Sequence, residues 1–172
     1  TLVMLAAAGI LAGRNGLQRL CFFLIAFGVW DIFYYLWLKV ILGWPQSLMT
    51  WDLLFYIPLP WVGPVIAPVL IAATMTAAGT ALIFLEAKGY RIRWRRVDWF
   101  IEMGCAAVLI VSFCWDWRNI LRVPDGTAHS GIPNPFAWWL FLPAYLAAVL
   151  YFAVRLRRGV AAGNGGREAG HA

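Results

Sequence analysis

The chain has 172 residues, 63% of them hydrophobic and 13% charged, with a formal net charge of +6 and a mean hydropathy of +0.74. Soluble domains run at about 25% charged residues and about 45–50% apolar ones. A water-soluble fold cannot hide this much apolar surface, so the solvent is lipid. The runs are continuous rather than alternating, which excludes a transmembrane β-barrel built of ~10-residue alternating strands. The expected fold is an all-α, polytopic membrane bundle. It has four full transmembrane helices plus a partial N-terminal one, forming a single domain over residues 1–158.

In chain order, residues 1–13 are apolar but too short to span, since crossing ~30 Å of hydrocarbon takes about 20 residues. They read as the inner part of a first helix whose start is missing, with a residual signal region as the rival. Arg14, Asn15 and Gly16 make a polar turn. A second helix is expected over 17–42 and is stopped by Gly43, Trp44 and Pro45. The next segment, from Ser47 to Ile57, is bracketed by Pro45 and Pro58 and is too short to cross. It reads as a short interfacial helix in the first outer loop.

A third helix is expected over 60–85, with Pro60, Pro64 and Pro68 in its first turns. Its second half is nearly all small residues. Ala72, Thr76 and Thr80 recur every fourth position, as do Ala73, Ala77 and Ala81. That spacing lets another backbone approach closely in lipid, and packing inside this chain is preferred over dimerisation. Residues 86–96 form a basic loop. A fourth helix over 97–115, a polar loop over 116–135 and a fifth helix over 136–156 follow. Residues 159–172 read as a flexible cytoplasmic tail.

Of the 14 Lys and Arg residues, eleven fall on one side of this layout: Arg14, Arg19, Lys88, Arg91, Arg93, Arg95, Arg96, Arg155, Arg157, Arg158 and Arg167. Only Lys39, Arg118 and Arg122 fall on the other. The positive-inside rule then gives an N-out, C-in topology in a bacterial cytoplasmic (inner) membrane. Arg91, Arg93, Arg95 and Arg96 are expected to contact anionic lipid head groups, at about 1 kcal/mol per basic residue. Nucleic acid is excluded as a partner, because the basic residues are helix-end anchors with no soluble domain behind them.

Catalytic groups are sparse. His129 and His171 both lie outside the expected spans, so no axial His can hold a haem or other tetrapyrrole in the bundle. Cys21, Cys105 and Cys114 show no metal or redox spacing and read as small packing residues. Asp125 with His129 suggests weak metal binding at most, and a solvated loop is the preferred reading. There is no GxSxG and no phosphate loop.

Asp31 stands out. It lies near mid-membrane, where a carboxylate costs about 2.5–3.5 kcal/mol on insertion scales, so it needs partners. Depth arithmetic nominates Thr74, Thr76 and Tyr145, which would make a buried polar clasp between helices. A proton relay or cation site on Asp31 is the functional alternative. Glu102 is expected to pair with Arg95 or Arg96, and Asp52 to cap a helix or pair with Lys39, Arg118 or Arg122.

The chain carries 11 Trp. Trp44, Trp51, Trp61, Trp115, Trp117, Trp138 and Trp139 gather at the outer interface, and Trp94 and Trp99 at the inner one, as aromatic belts do. The outer group is heavier than anchoring needs. Trp44, Trp51, Asp52 and Trp61 are expected to form a platform for a partner protein, a carotenoid or a quinone ring.

Taken together, these features point to a non-catalytic accessory subunit of a larger membrane complex. Its partners would be other membrane subunits and bound lipid, with no cofactor held by His or Cys. A respiratory or photosynthetic electron-transfer assembly is the preferred host. The alternative is a small proton- or ion-coupled transporter or membrane enzyme using Asp31.

Overall fold

The computed structural model describes residues 1–56, 59–90, 92–115 and 136–168, with side chains up to residue 162. The elements, in order, are α1 (Leu2–Ala12), α2 (Gly16–Leu42), β1 (Trp51–Phe55), β2 (Trp61–Pro64), α3 (Ile66–Ala87), α4 (Arg96–Cys114) and α5 (Trp138–Glu168). Four of them, α2, α3, α4 and the Trp138–Ala162 part of α5, are long and apolar enough to cross a membrane, while α1 is shorter. The chain is a multi-pass membrane protein with a mostly helical architecture. One end of the molecule, called here the arginine end, gathers the α1–α2 and α3–α4 turns. The opposite end carries the β1–β2 hairpin.

The helix boundaries follow local chemistry. The Asn15 side chain accepts from the Gln18 backbone N–H and caps α2, satisfying one of the free donors of the first turn. Gly43, with φ 68°, ends α2 in the left-handed conformation that glycine adopts without a Cβ penalty. At α4, the Asp98 carboxylate accepts from the Arg95 backbone N–H at 2.7 Å, placing an acidic group in the first turn where the helix dipole favours it.

Two helix pairs are packed differently. In α2–α3 the backbones touch. A Cβ added at Gly28 would run into the Ala72 carbonyl oxygen and Thr76 Oγ1, and one at Gly79 would lie 2.8 Å from the Cys21 carbonyl oxygen. Ala72 and Thr76 are therefore spent inside the chain, in line with the preferred reading, whereas Ala73, Ala77 and Thr80 are exposed. α1 lies on the first half of α2 through Gly9 and Gly13, both close to Arg19. In α4–α5 the contact is made by polar and aromatic side chains. The backbones of the two pairs stand apart and are joined by large rings. Phe113 of α4, Phe136 just before α5 and Phe141 of α5 cluster on Ala67 of α3, with Trp51, Leu54 and Trp61 of the hairpin packed against them.

Three expectations change. The interfacial helix is absent, and Trp51–Phe55 pairs antiparallel with Trp61–Pro64 instead. Ser47 and Thr50 explain this, because they close a turn of their own. Thr50 N–H donates to the Ser47 carbonyl, and the Ser47 N–H donates to Thr50 Oγ1. Too few residues remain before Pro58 for a helix, and they are the Trp, Leu and Phe types that suit a pleated surface. Second, α3 starts at Ile66 rather than near residue 60. Only Pro68 of the three prolines lies in its first turn, where the missing N–H has no helical partner to lose. Third, α5 continues beyond residue 158 to Glu168. A Cβ at Gly159 would lie 2.9 Å from Ile92 Cγ1, so the helix passes close against the basic loop there.

Candidate functional site

Two polar clusters sit within the spans, one toward each end. At the hairpin end, Asp31 and Tyr35 share one face of α2 a turn apart. By helical rise Asp31 lies about 17 Å below Leu42, well inside the bilayer thickness. Its side chain is buried, with the residue 8% exposed. The Tyr35 hydroxyl, also buried, donates to Asp52 Oδ2 at 2.8 Å. The other Asp52 oxygen accepts the Leu53 backbone N–H at 2.8 Å. The hairpin thus reaches down beside α2 and lays the Asp52 carboxylate within electrostatic range of Asp31. Irregular backbone at membrane depth is tolerated where it is buried in protein or lines a water-filled cavity.

The clasp expected from depth arithmetic does not close on Asp31. Thr74 Oγ1 and the Tyr145 hydroxyl lie 2.6 Å apart and bond to each other, tying α3 to α5. Thr76 Oγ1 donates to the Ala72 carbonyl. Among the described residues the Asp31 carboxylate accepts no hydrogen bond and makes no ion pair. Equal depth was correct for Thr74 and Tyr145. Azimuth around the helix, which depth does not give, placed Asp31 elsewhere.

Lys39, about two turns along α2 from Asp31, is also committed. Lys39 Nζ donates to the Pro45 carbonyl at 2.8 Å and to the Gly43 carbonyl at 3.4 Å, closing the end of α2 rather than pairing with Asp52. Arg118, Arg122, Asp125, His129, Trp117 and His171 lie outside the described residues. Trp44 contacts the Tyr35 ring at 6.4 Å between centroids. Trp51 meets Phe136 edge-on at 6.3 Å, and Trp61 stacks on Phe113 at 6.4 Å with 14° between planes. Trp51 and Trp61 therefore face the core more than an outside partner, which narrows the expected platform.

A different aromatic surface is open. Trp30, Phe33, Tyr34, Trp37, Leu38, Ile41 and Leu42 line a shallow groove of about 440 Å³ on α2. Phe33, Trp37 and Ile41 along it are exposed to the surroundings. Composition hid this stripe, because exposed and core aromatics look alike until the partner helices are placed.

At the arginine end, Asp98 is buried and anchors α4 to α5. It accepts from the Tyr151 hydroxyl at 2.6 Å and pairs with Arg155 Nη2 at 2.7 Å. The same Arg155 nitrogen donates to the Arg93 carbonyl at 2.9 Å. Glu102, expected to pair with Arg95 or Arg96, does not, and its Oε1 is buried without a partner. One turn closer to the helix start, Asp98 takes the arginine instead. Of the four arginines expected at lipid head groups, Arg93, Arg95 and Arg96 flank this end, and Arg91 lies outside the described residues. The three cysteines are free, and no group of three metal-ligating side chains occurs among the described residues. Comparison with protein-family models, with curated proteins and with solved structures finds no match to the chain.

Proposed function

We propose that the chain is a non-catalytic subunit of a larger membrane assembly, inserted N-out and C-in, with the exposed stripe of α2 as its docking face for a partner's transmembrane helix. The observation that carries this reading is the groove from Trp30 to Leu42. It is lined from a single helix and left uncovered while the other face of α2 is packed by α3. In lipid no hydrophobic force drives such a face together, so shape and ring contacts select the partner. Rings spaced along ~18 Å of helix offer knobs to a neighbouring helix. A bacterial cytoplasmic membrane fits the arginine bias, and an electron-transfer complex is the first host to test.

Photo-crosslinking from positions 33, 37 and 41 in native membranes tests the reading. A single heteromeric adduct of fixed size from these positions, missing from position 103 on α4, is the expected result. Adducts with lipid alone, or with a second copy of the chain alone, overturn it. The orientation is tested by a membrane-impermeant maleimide. A cysteine at exposed Met49 should label in intact cells, and one at Arg96 only after lysis.

One observation favours a second reading, an ion- or proton-coupled carrier. Asp31 is buried, and among the described residues no group donates a hydrogen bond to its carboxylate. Reconstituted protein that moves ions, and stops doing so as Asp31→Asn, would support this reading over the subunit one.

A further inference from the structure

We infer that the Asp31–Tyr35–Asp52 cluster is a binding site for one monovalent cation, a proton or an alkali ion, reached from the hairpin end of α2. The inference deepens the second reading above but needs only binding, not transport. Asp31 is 8% exposed and its carboxylate accepts no hydrogen bond among the described residues. A buried carboxylate of that kind is strongly unfavourable unless a positive charge accompanies it. The fold worsens the situation by bringing a second carboxylate close. Asp52 is held in place by the Tyr35 hydroxyl and the Leu53 N–H.

Among the described residues neither acid has an ion pair, and Arg118 and Arg122 lie outside them. α1 carries no ionisable side chain, and α3 carries none from Ile66 to Leu85. On α2 the charged or titratable neighbours are Tyr34, Tyr35 and Lys39, and Lys39 is turned to the Gly43 and Pro45 carbonyls. The hairpin contributes Asp52. Two acids therefore meet at Tyr35, Asp52 bonded to its hydroxyl and Asp31 a helical turn away on the same face. Calcium takes six to eight oxygens. Here Asp52 has both oxygens already engaged and Asp31 offers two, too few for a calcium shell, and one positive charge offsets the one carboxylate left without a donor.

The test uses the purified full chain in detergent, followed by its Tyr and Trp fluorescence, since Tyr35 lies against Trp44. NaCl and KCl are titrated against choline chloride at constant ionic strength. In parallel, the carboxyl O–H infrared band is followed as pH is varied. A saturable response to an alkali ion that Asp31→Asn abolishes, and that Tyr35→Phe weakens several-fold, assigns the site to that ion. A carboxyl band that Asp31→Asn removes, with no alkali response, assigns it to a proton. Circular dichroism and a monodisperse elution profile confirm that each variant is folded. If Asp31→Asn proves unfolded, Asp52→Asn takes its place and is expected to weaken the same response. If folded wild type shows neither signal, or shows signals that both variants leave intact, the inference is overturned. Binding without flux in liposomes would retain the site and remove the carrier reading.

Discussion

Gly28 shows how much depends on single atoms in this chain. It lies on the α2 face that meets Ala72 and Thr76, and a methyl group there has nowhere to go because the first obstacle is backbone. Gly28→Ala should destabilise the α2–α3 pair by about 1–3 kcal/mol, the range for overpacking a filled interface. Gly104→Ala on α4, where an added Cβ meets nothing within 4 Å, should be neutral. Thermal unfolding of both variants in the same detergent checks the contrast, and equal midpoints would contradict it. Asp98 makes the same point for polar contacts. It receives Tyr151, Arg155 and the Arg95 N–H together. Asp98→Asn leaves Arg155 without its partner and should lower the unfolding temperature more than Tyr151→Phe, which removes one donor and leaves the charge pair in place. The sequence offered both acids at this end of α4. Asp98 and Glu102 share one face of α4, and depth along it decided that Asp98, a turn nearer the helix start, would meet the arginine.

At the scale of elements, the helices were legible because hydrophobicity in lipid is a long, redundant signal. The limits of α2 lie within a residue of the expected ones, fixed by Asn15 and Gly43. The hairpin was not legible. Its strands are short, their register is irregular between Leu53 and Phe55, and Pro58 and Pro60 read equally well as helix stops or as turn residues. Its stability comes from rings that meet only in three dimensions. Phe141, 0% exposed, lies at the centre, touching Phe113, Phe136, Trp138 and Tyr145. In a water-soluble core Phe→Ala costs about 3–5 kcal/mol, from a transfer part and a cavity part. Lipid is as apolar as the core, so in a membrane the transfer part falls away and the cavity part remains. Phe141→Ala should therefore destabilise by less than that range. It should do so with a local signature: faster hydrogen exchange over 51–64, with the α2–α3 pair protected as before. Uniform loss of protection across all helices would refute the idea that these rings hold the hairpin in place.

For the whole molecule, the two packing styles imply two separable halves. The first, α1 to α3, is held by close backbone contact through Gly28 and Gly79. The second, α4 and α5, is held by the Asp98–Arg155 pair, the Trp94–Phe152 stack and the close pass of Gly159 by Ile92. What joins them is the aromatic cluster around Ala67 and the Thr74–Tyr145 hydrogen bond, both toward the hairpin end. The basic loop that connects α3 to α4 lies at the opposite end, so cutting it breaks a covalent link without touching the seam. Helices that are stable alone in lipid can associate after insertion. Residues 1–90 and 91–172, expressed as separate polypeptides, should therefore insert, associate and co-elute after extraction. Trp61→Ala with Phe136→Ala should separate them, because those rings bridge the hairpin to the second half. Asp31→Asn should not, since Asp31 bonds to neither half's partner across the seam. If the fragments insert but never co-elute, the covalent loop and not the ring cluster is what holds the bundle together. If Asp31→Asn separates them, the carboxylate is a structural clasp after all, and the cation-site reading loses its main support.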